Sequence, residues 1–228
     1  GVRLPPATLS PFRQEGKPGG SFKPLGLIAG GSGITPATAS EMFEAGVDYE
    51  ILPQVIRTAD SSKIEINEVF HYGCVHCSHF GRALEPWVED LEDYVDFQRT
   101  PAIWHPSLEP YARAYFVGRS FNVLDKTHVD LFEAIHVRKE SIQSENDIEK
   151  IFSKHRVDGE KFSKAYNSFG VNSQVNQAKS RIKGYRTQGT PELVVNGKYR
   201  ITTRMGKGFE GMLRIASFLI EKERQLKS

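Results

Sequence analysis

The apolar positions of this chain change period several times, and each change marks an element. Over residues 63–70 the alternation is strict, and Ile64, Ile66, Glu68 and Phe70 share one face of a β-strand. Glu68 is the odd member, an acid in an apolar row. After Cys74 the period becomes helical, with Phe80, Leu84, Trp87, Val88 and Leu91 in one stripe. Pro86 falls inside that stripe and predicts a kink or a break, because proline lacks an N–H and crowds the preceding turn. A second strand is expected over 95–99, ending at Pro101. Upstream, 48–56 reads as a short edge strand, since Pro53 is tolerated only at an edge.

From about 107 to 186 the pattern is helical throughout. Helices are expected around 111–117 and 128–135. Ser144 or Asn146 is placed to cap a helix carrying Ile148, Ile151 and Phe152, and Asp158 to cap one carrying Phe162, Ala165 and Tyr166. A further helix over 174–183 closes at Gly184. Then Leu193-Val194-Val195 and Tyr199-Arg200-Ile201 flank Asn196-Gly197, a strong hairpin signal. Phe209, Met212, Leu213, Ala216, Leu219 and Ile220 complete an amphipathic C-terminal helix that needs a sheet to cover. A plain strand-helix-strand unit takes about 30 residues, yet 113 residues separate Cys77 from Pro191. The organisation is therefore an α/β domain at 48–106 and 187–228, with an inserted all-helical subdomain at 107–186.

Residues 1–40 differ from the rest. They hold six of the 12 prolines and eight of the 20 glycines, a composition of turns and linkers. Within them, Leu25-Gly26-Leu27-Ile28-Ala29-Gly30-Gly31-Ser32-Gly33-Ile34-Thr35-Pro36 resembles the nicotinamide-binding loop of the ferredoxin reductase and cytochrome b5 reductase group. Such a loop needs a parallel sheet behind it, and after Pro36 the chain turns to an unrelated pattern. The segment reads as an extension, with no cofactor assigned to it.

Composition narrows the function classes. A net charge of +2 without a long run of one sign gives no support to nucleic-acid or polybasic membrane binding. No stretch approaches the ~18 apolar residues of a membrane span. The N-terminus lacks the order of a signal peptide, so an exported protein's signal would have been removed or replaced. The length suffices for a core without staples, and both cysteines lie in a single Cys74-Val75-His76-Cys77, so a disulfide would be local.

That pair sits between a strand and a helix start, where free N–H groups and the positive dipole end stabilise a thiolate. Cys77, one turn on, is placed to attack a mixed disulfide formed at Cys74. His76 adds a donor. Zinc would want four ligands; Cys74, Cys77, His71, His76 and His79 are candidates, but a second Cys-x-x-Cys is missing. Thiol–disulfide exchange is the leading reading beside metal binding and inert core cysteines.

Cys74-Val75-His76-Cys77, an acid six residues earlier, a large helical insertion, and Gly189-Thr190-Pro191 before Val194-Val195-Asn196-Gly197-Lys198-Tyr199 together resemble the DsbA family of thioredoxin-fold oxidoreductases from about Asp48 to the C-terminus. The resemblance implies a thioredoxin fold, a mixed central sheet with flanking helices. Its redox-active centre is a Cys74–Cys77 disulfide, without further cofactor or metal. Cys74 is then the exposed nucleophile, Cys77 the buried resolving thiol, His76 a tuning residue and Glu68 a buried proton carrier. Val75 and the Thr190-Pro191 cis-proline loop meet the substrate chain. Val75 stands where the family often has proline, and no partner for Glu68 is assigned near Gln98-Arg99. The implied activity is donation of the disulfide to unfolded, reduced secreted proteins, with reoxidation by a DsbB-like membrane quinone reductase, by a monomer in the bacterial periplasm. A disulfide reductase or isomerase of the same fold, and a redox-inactive peptide-binding module, are the alternatives.

Overall fold

The computed structural model describes residues 43–227. The extension at 1–40, with its glycine-rich stretch, lies outside them. Among the described residues five strands form one sheet: β1 Glu50–Ile51, β2 Ile64–Phe70, β3 Val95–Pro101, β4 Glu192–Val195 and β5 Tyr199–Thr202. Their spatial order is β1-β5-β4-β2-β3, with β2 and β3 parallel and the other pairs antiparallel. The sheet is mixed, as a thioredoxin fold requires.

Among the described residues seven α-helices accompany it: α1 Val75–Glu89, α2 Glu109–Ser120, α3 Leu124–His136, α4 Glu145–Lys154, α5 Gly159–Tyr166, α6 Phe169–Tyr185 and α7 Phe209–Lys227. α1 and α7 cover one face of the sheet. Ile64 and Ile66 of β2 meet Phe80 and Leu84 of α1 there, and Met212 and Leu219 of α7 close the layer. Each such buried side chain is worth roughly 1.5–3 kcal/mol. The opposite face carries Val69 and Val194 against Ile182 and Tyr185 of α6. Because both faces are covered, every residue of β2 is buried. At its C-terminal end, Phe70 and Tyr72 enter a third apolar cluster made by α2 to α6, where Phe132 packs on both rings. The helical block between β3 and β4 is thereby joined to the sheet beside the cysteines.

Several local expectations change. The edge strand is only two residues long, whereas β3 ends at Pro101 as expected. Pro86 does not split α1, which runs to Glu89. The cap of α4 is Ser144, in a capping box with Asp147. α6 starts five residues earlier than the periodicity suggested, on the cap Ser168, and ends beyond Gly184 at a left-handed Arg186. Gly184 has another purpose: a Cβ there would stand 2.5 Å from Ile56 Cδ1.

Candidate active site

β2 delivers the chain to the site and α1 begins on it. Cys74 is the N-cap of α1, with extended backbone, and its Sγ accepts the Cys77 N–H at 3.4 Å. This is the capping position normally filled by a serine or aspartate oxygen. Both cysteines carry free thiols in this structure; Cys74 is half-buried and Cys77 buried. The Cys74 thiol donates to the Thr190 carbonyl oxygen at 3.4 Å. The fold thus closes a gap of 116 residues to put the two side by side, and the Thr190-Pro191 peptide is cis.

The two thiols differ in acidity because their surroundings differ. A hydrogen bond from Cys77 lowers the Cys74 pKa to about 5, against the opposing effect of burial, with help from the Thr190 side chain, the Cys77 amide and His71. Burial, above all, drives the Cys77 thiol up, and the negative charge of Cys74 and Glu68 adds to it.

Glu68 is buried at 3 % exposure on β2. Burial raises its pKa although Arg99 opposes the rise. Arg99 is its register partner on the parallel strand β3, and its Nε donates to Glu68 Oε2 at 2.7 Å. Arg99 also pairs with Glu85 of α1 and lies 4.8 Å from the centre of the Phe97 ring. The sequence had suggested no partner for Glu68; parallel pairing of the two strands would have been the signal.

His76 and Val75 are exposed on the first turn of α1. The histidine whose charge bears on Cys74 is His71, half-buried before the cysteine loop, with its ring 6.3 Å edge-on from that of Trp104. Burial lowers the pKa of His71. Beneath the loop, His136 Nε2–H donates to the Tyr72 carbonyl at 2.7 Å, and the Tyr72 hydroxyl is bonded to His128 Nδ1 at 2.9 Å. Among the described residues no three His, Cys, Asp or Glu side chains converge as metal ligands, and no helix is long and apolar enough to cross a membrane.

Known proteins resemble this chain in sequence and in fold. The family model for the DSBA-like thioredoxin domain matches residues 83–219. The thiol:disulfide interchange protein DsbA of Azotobacter vinelandii is 33% identical over 203 residues, spanning 87% of this chain and 95% of that protein. Its namesake from Pseudomonas aeruginosa is 34% identical over 198 residues, spanning 87% and 94%. Among solved structures, Pseudomonas aeruginosa DsbA superposes with a TM-score of 0.78 at 34% identity, over 81% of this chain and 96% of that one. The oxidoreductase DsbA from Xylella fastidiosa gives 0.75 at 31% identity, over 80% and 98%. Sequence and fold agree over nearly the full length of these relatives, so the chain belongs to the family of DsbA-like thioredoxin domains and is an enzyme of thiol–disulfide exchange.

Proposed function

We propose that the chain is a dithiol oxidase that donates a Cys74–Cys77 disulfide to unfolded, reduced secreted proteins. The observation that carries this reading is the contrast between the two thiols: Cys74 half-exposed with a pKa of about 5, Cys77 buried and pushed far up. A substrate thiolate attacks Cys74 Sγ, the Cys74–Cys77 bond breaks, and Cys77 leaves with the electron pair and takes a proton. Glu68, buried with a raised pKa and close enough for its charge to bear on Cys77, is the proton carrier. A second substrate thiolate attacks the substrate sulfur of the mixed disulfide, and Cys74 departs as a thiolate, a good leaving group because its pKa is low. The substrate gains a disulfide and the enzyme is left with its thiols reduced.

His71 adds to the stabilisation of the thiolate, and exposed His76 is the donor available to an incoming chain. Val75 and the Thr190-Pro191 backbone flank Cys74 as the surface on which that chain lies. Residues 107–186 act as an inserted subdomain beside this surface. The redox centre is the cysteine pair alone. On this reading the chain works in the bacterial periplasm as a monomer and is reoxidised by a DsbB-like membrane quinone reductase; its similarity to thiol:disulfide interchange proteins supports that reading.

The test is the equilibrium of the cysteine pair against glutathione buffers, with C74S as control. Complete oxidation of a reduced peptide by the disulfide form, lost in C74S, supports the reading. A strongly reducing pair, or an active C74S variant, overturns it.

A further inference from the structure

Glu192 follows Pro191 directly, and its side chain turns back over the loop it has just left. It is buried at 4 % exposure. Its Oε1 accepts the Gly189 N–H at 3.2 Å and the Gln188 N–H at 3.5 Å. Both amides lie in the segment that ends at Thr190, whose carbonyl accepts the Cys74 thiol. The two ends of the segment are held elsewhere: Trp104 Nε1–H donates to Thr187 O at 3.1 Å, and Thr203 Oγ1 to Pro191 O at 3.3 Å. Between those ties, the Glu192 carboxylate is the fixed point for the backbone that faces the cysteine.

We propose that Glu192 is a positioning residue of the redox site: its carboxylate fixes the Gln188 and Gly189 amides, sets the distance from Thr190 O to Cys74 Sγ, and makes that distance depend on its own ionisation. This rests on reading Cys74 as the exchanging thiol.

The surroundings make the ionisation responsive. The charged groups facing Glu192 are Arg200 of β5 and Glu50 of β1. Arg200 is a poor counter-ion. Its Nε stands 3.8 Å from Glu192 Oε2, and neither atom has a hydrogen-bond partner among the described residues. The same guanidinium is taken by Glu50 at 2.8 Å and by the Arg186 carbonyl. β2 sets Val69 alongside in register. α6 lays Ile182 and Tyr185 on the same face, with the Tyr185 hydroxyl turned to Arg181 and Glu65. Burial therefore outweighs Arg200 and the two amides, and the Glu192 pKa rises to about 7. Above that value the carboxylate grips the loop; below it the neutral acid accepts more weakly, as uncharged acceptors do.

The experiment follows the Gln188 and Gly189 amide resonances of the isotopically labelled full chain across neutral pH. Both move with a midpoint near 7 in the wild type, and both are flat in E192Q, which keeps the shape without the charge. The same titration in C74S persists, because the carboxylate and not the thiol causes it; this separates a failure here from a failure of the Cys74 assignment. The second readout is peptide oxidation by wild type and E192Q, in which the substrate's own ionisation cancels in the ratio. The ratio of kcat/KM rises roughly threefold from about pH 6 to about pH 8. Amides that do not titrate near neutrality in the wild type, titration that survives in E192Q, or a ratio independent of pH would each overturn the proposal.

Discussion

Arg99 Nε donates to Glu68 Oε2 at 2.7 Å from the register-paired position on the neighbouring parallel strand. The acid below the cysteines is therefore neither free nor at a strand end. It is held in the layer between β2 and α1, where Glu85 of α1 engages the same guanidinium.

Replacing Arg99 with methionine leaves Glu68 without its counter-ion. Removing one partner of a buried pair costs about 3–5 kcal/mol. Because Glu68 can protonate instead, the loss in R99M is largest at about pH 8 and shrinks towards about pH 5, and E68Q in the same chain recovers part of it. Urea denaturation at the two pH values measures this. A loss that does not change with pH would mean that packing on Phe97, not charge, is the role of Arg99.

Alkylation separates the two thiols. Cys74 reacts with a midpoint near pH 5 and Cys77 stays unmodified while the protein is folded. The Cys74 pKa is depressed in the fold, so the reduced protein gains stability above the ordinary thiol range and loses it as pH falls through about 5. C77A removes the largest cause and shifts the midpoint up. An alkylation midpoint near the ordinary thiol value of 9.0 in the wild type would contradict the assignment.

Glu192 has the opposite sign. Its folded pKa is raised from 4.5 to about 7. Stability from the neutral acid is complete below its unfolded pKa and disappears as pH rises through about 7, a loss of about 3 kcal/mol. E192Q escapes the loss, so its melting temperature exceeds that of wild type at about pH 8, and the difference closes towards about pH 4. Calorimetry of both chains at the two pH values decides it; equal melting temperatures at the higher pH are the contrary outcome.

Tyr72 tests the support under the loop. It is fully buried and bonded to His128 Nδ1 at 2.9 Å. Y72F leaves that nitrogen unpaired, at a cost of about 1–3 kcal/mol. The urea midpoint falls while the slope and the Cys74 alkylation midpoint hold. A shifted alkylation midpoint would show that the network reaches the thiolate.

The cysteine pair was legible because its information is local. Alternation at 63–70 and the helical stripe after Cys74 gave a strand entering a helix, and capping chemistry follows from that junction. Pro86 does not break α1 because a proline near the end of the helix removes a single backbone bond, which packing against α7 outweighs. Gly184 misled because a glycine that stops a helix and one that admits Ile56 look alike in sequence. His71 was visible only as one metal candidate, since its bearing on Cys74 depends on how the loop folds back.

By itself, then, the sequence determined most of the elements, the long helical stretch before the hairpin and the cysteine pair at a helix start, and it proposed Thr190-Pro191 as the other half of the site. Periodicity, turn chemistry and capping act over a few residues, and family resemblance joined the two halves. Only the tertiary structure decided that Arg99 is the partner of Glu68 and that Glu192 grips the loop facing Cys74. Strand register and burial set those relations. They arise from packing among elements far apart in the chain, where a carboxylate's neighbours, and so its charge, cannot be read from the residues beside it.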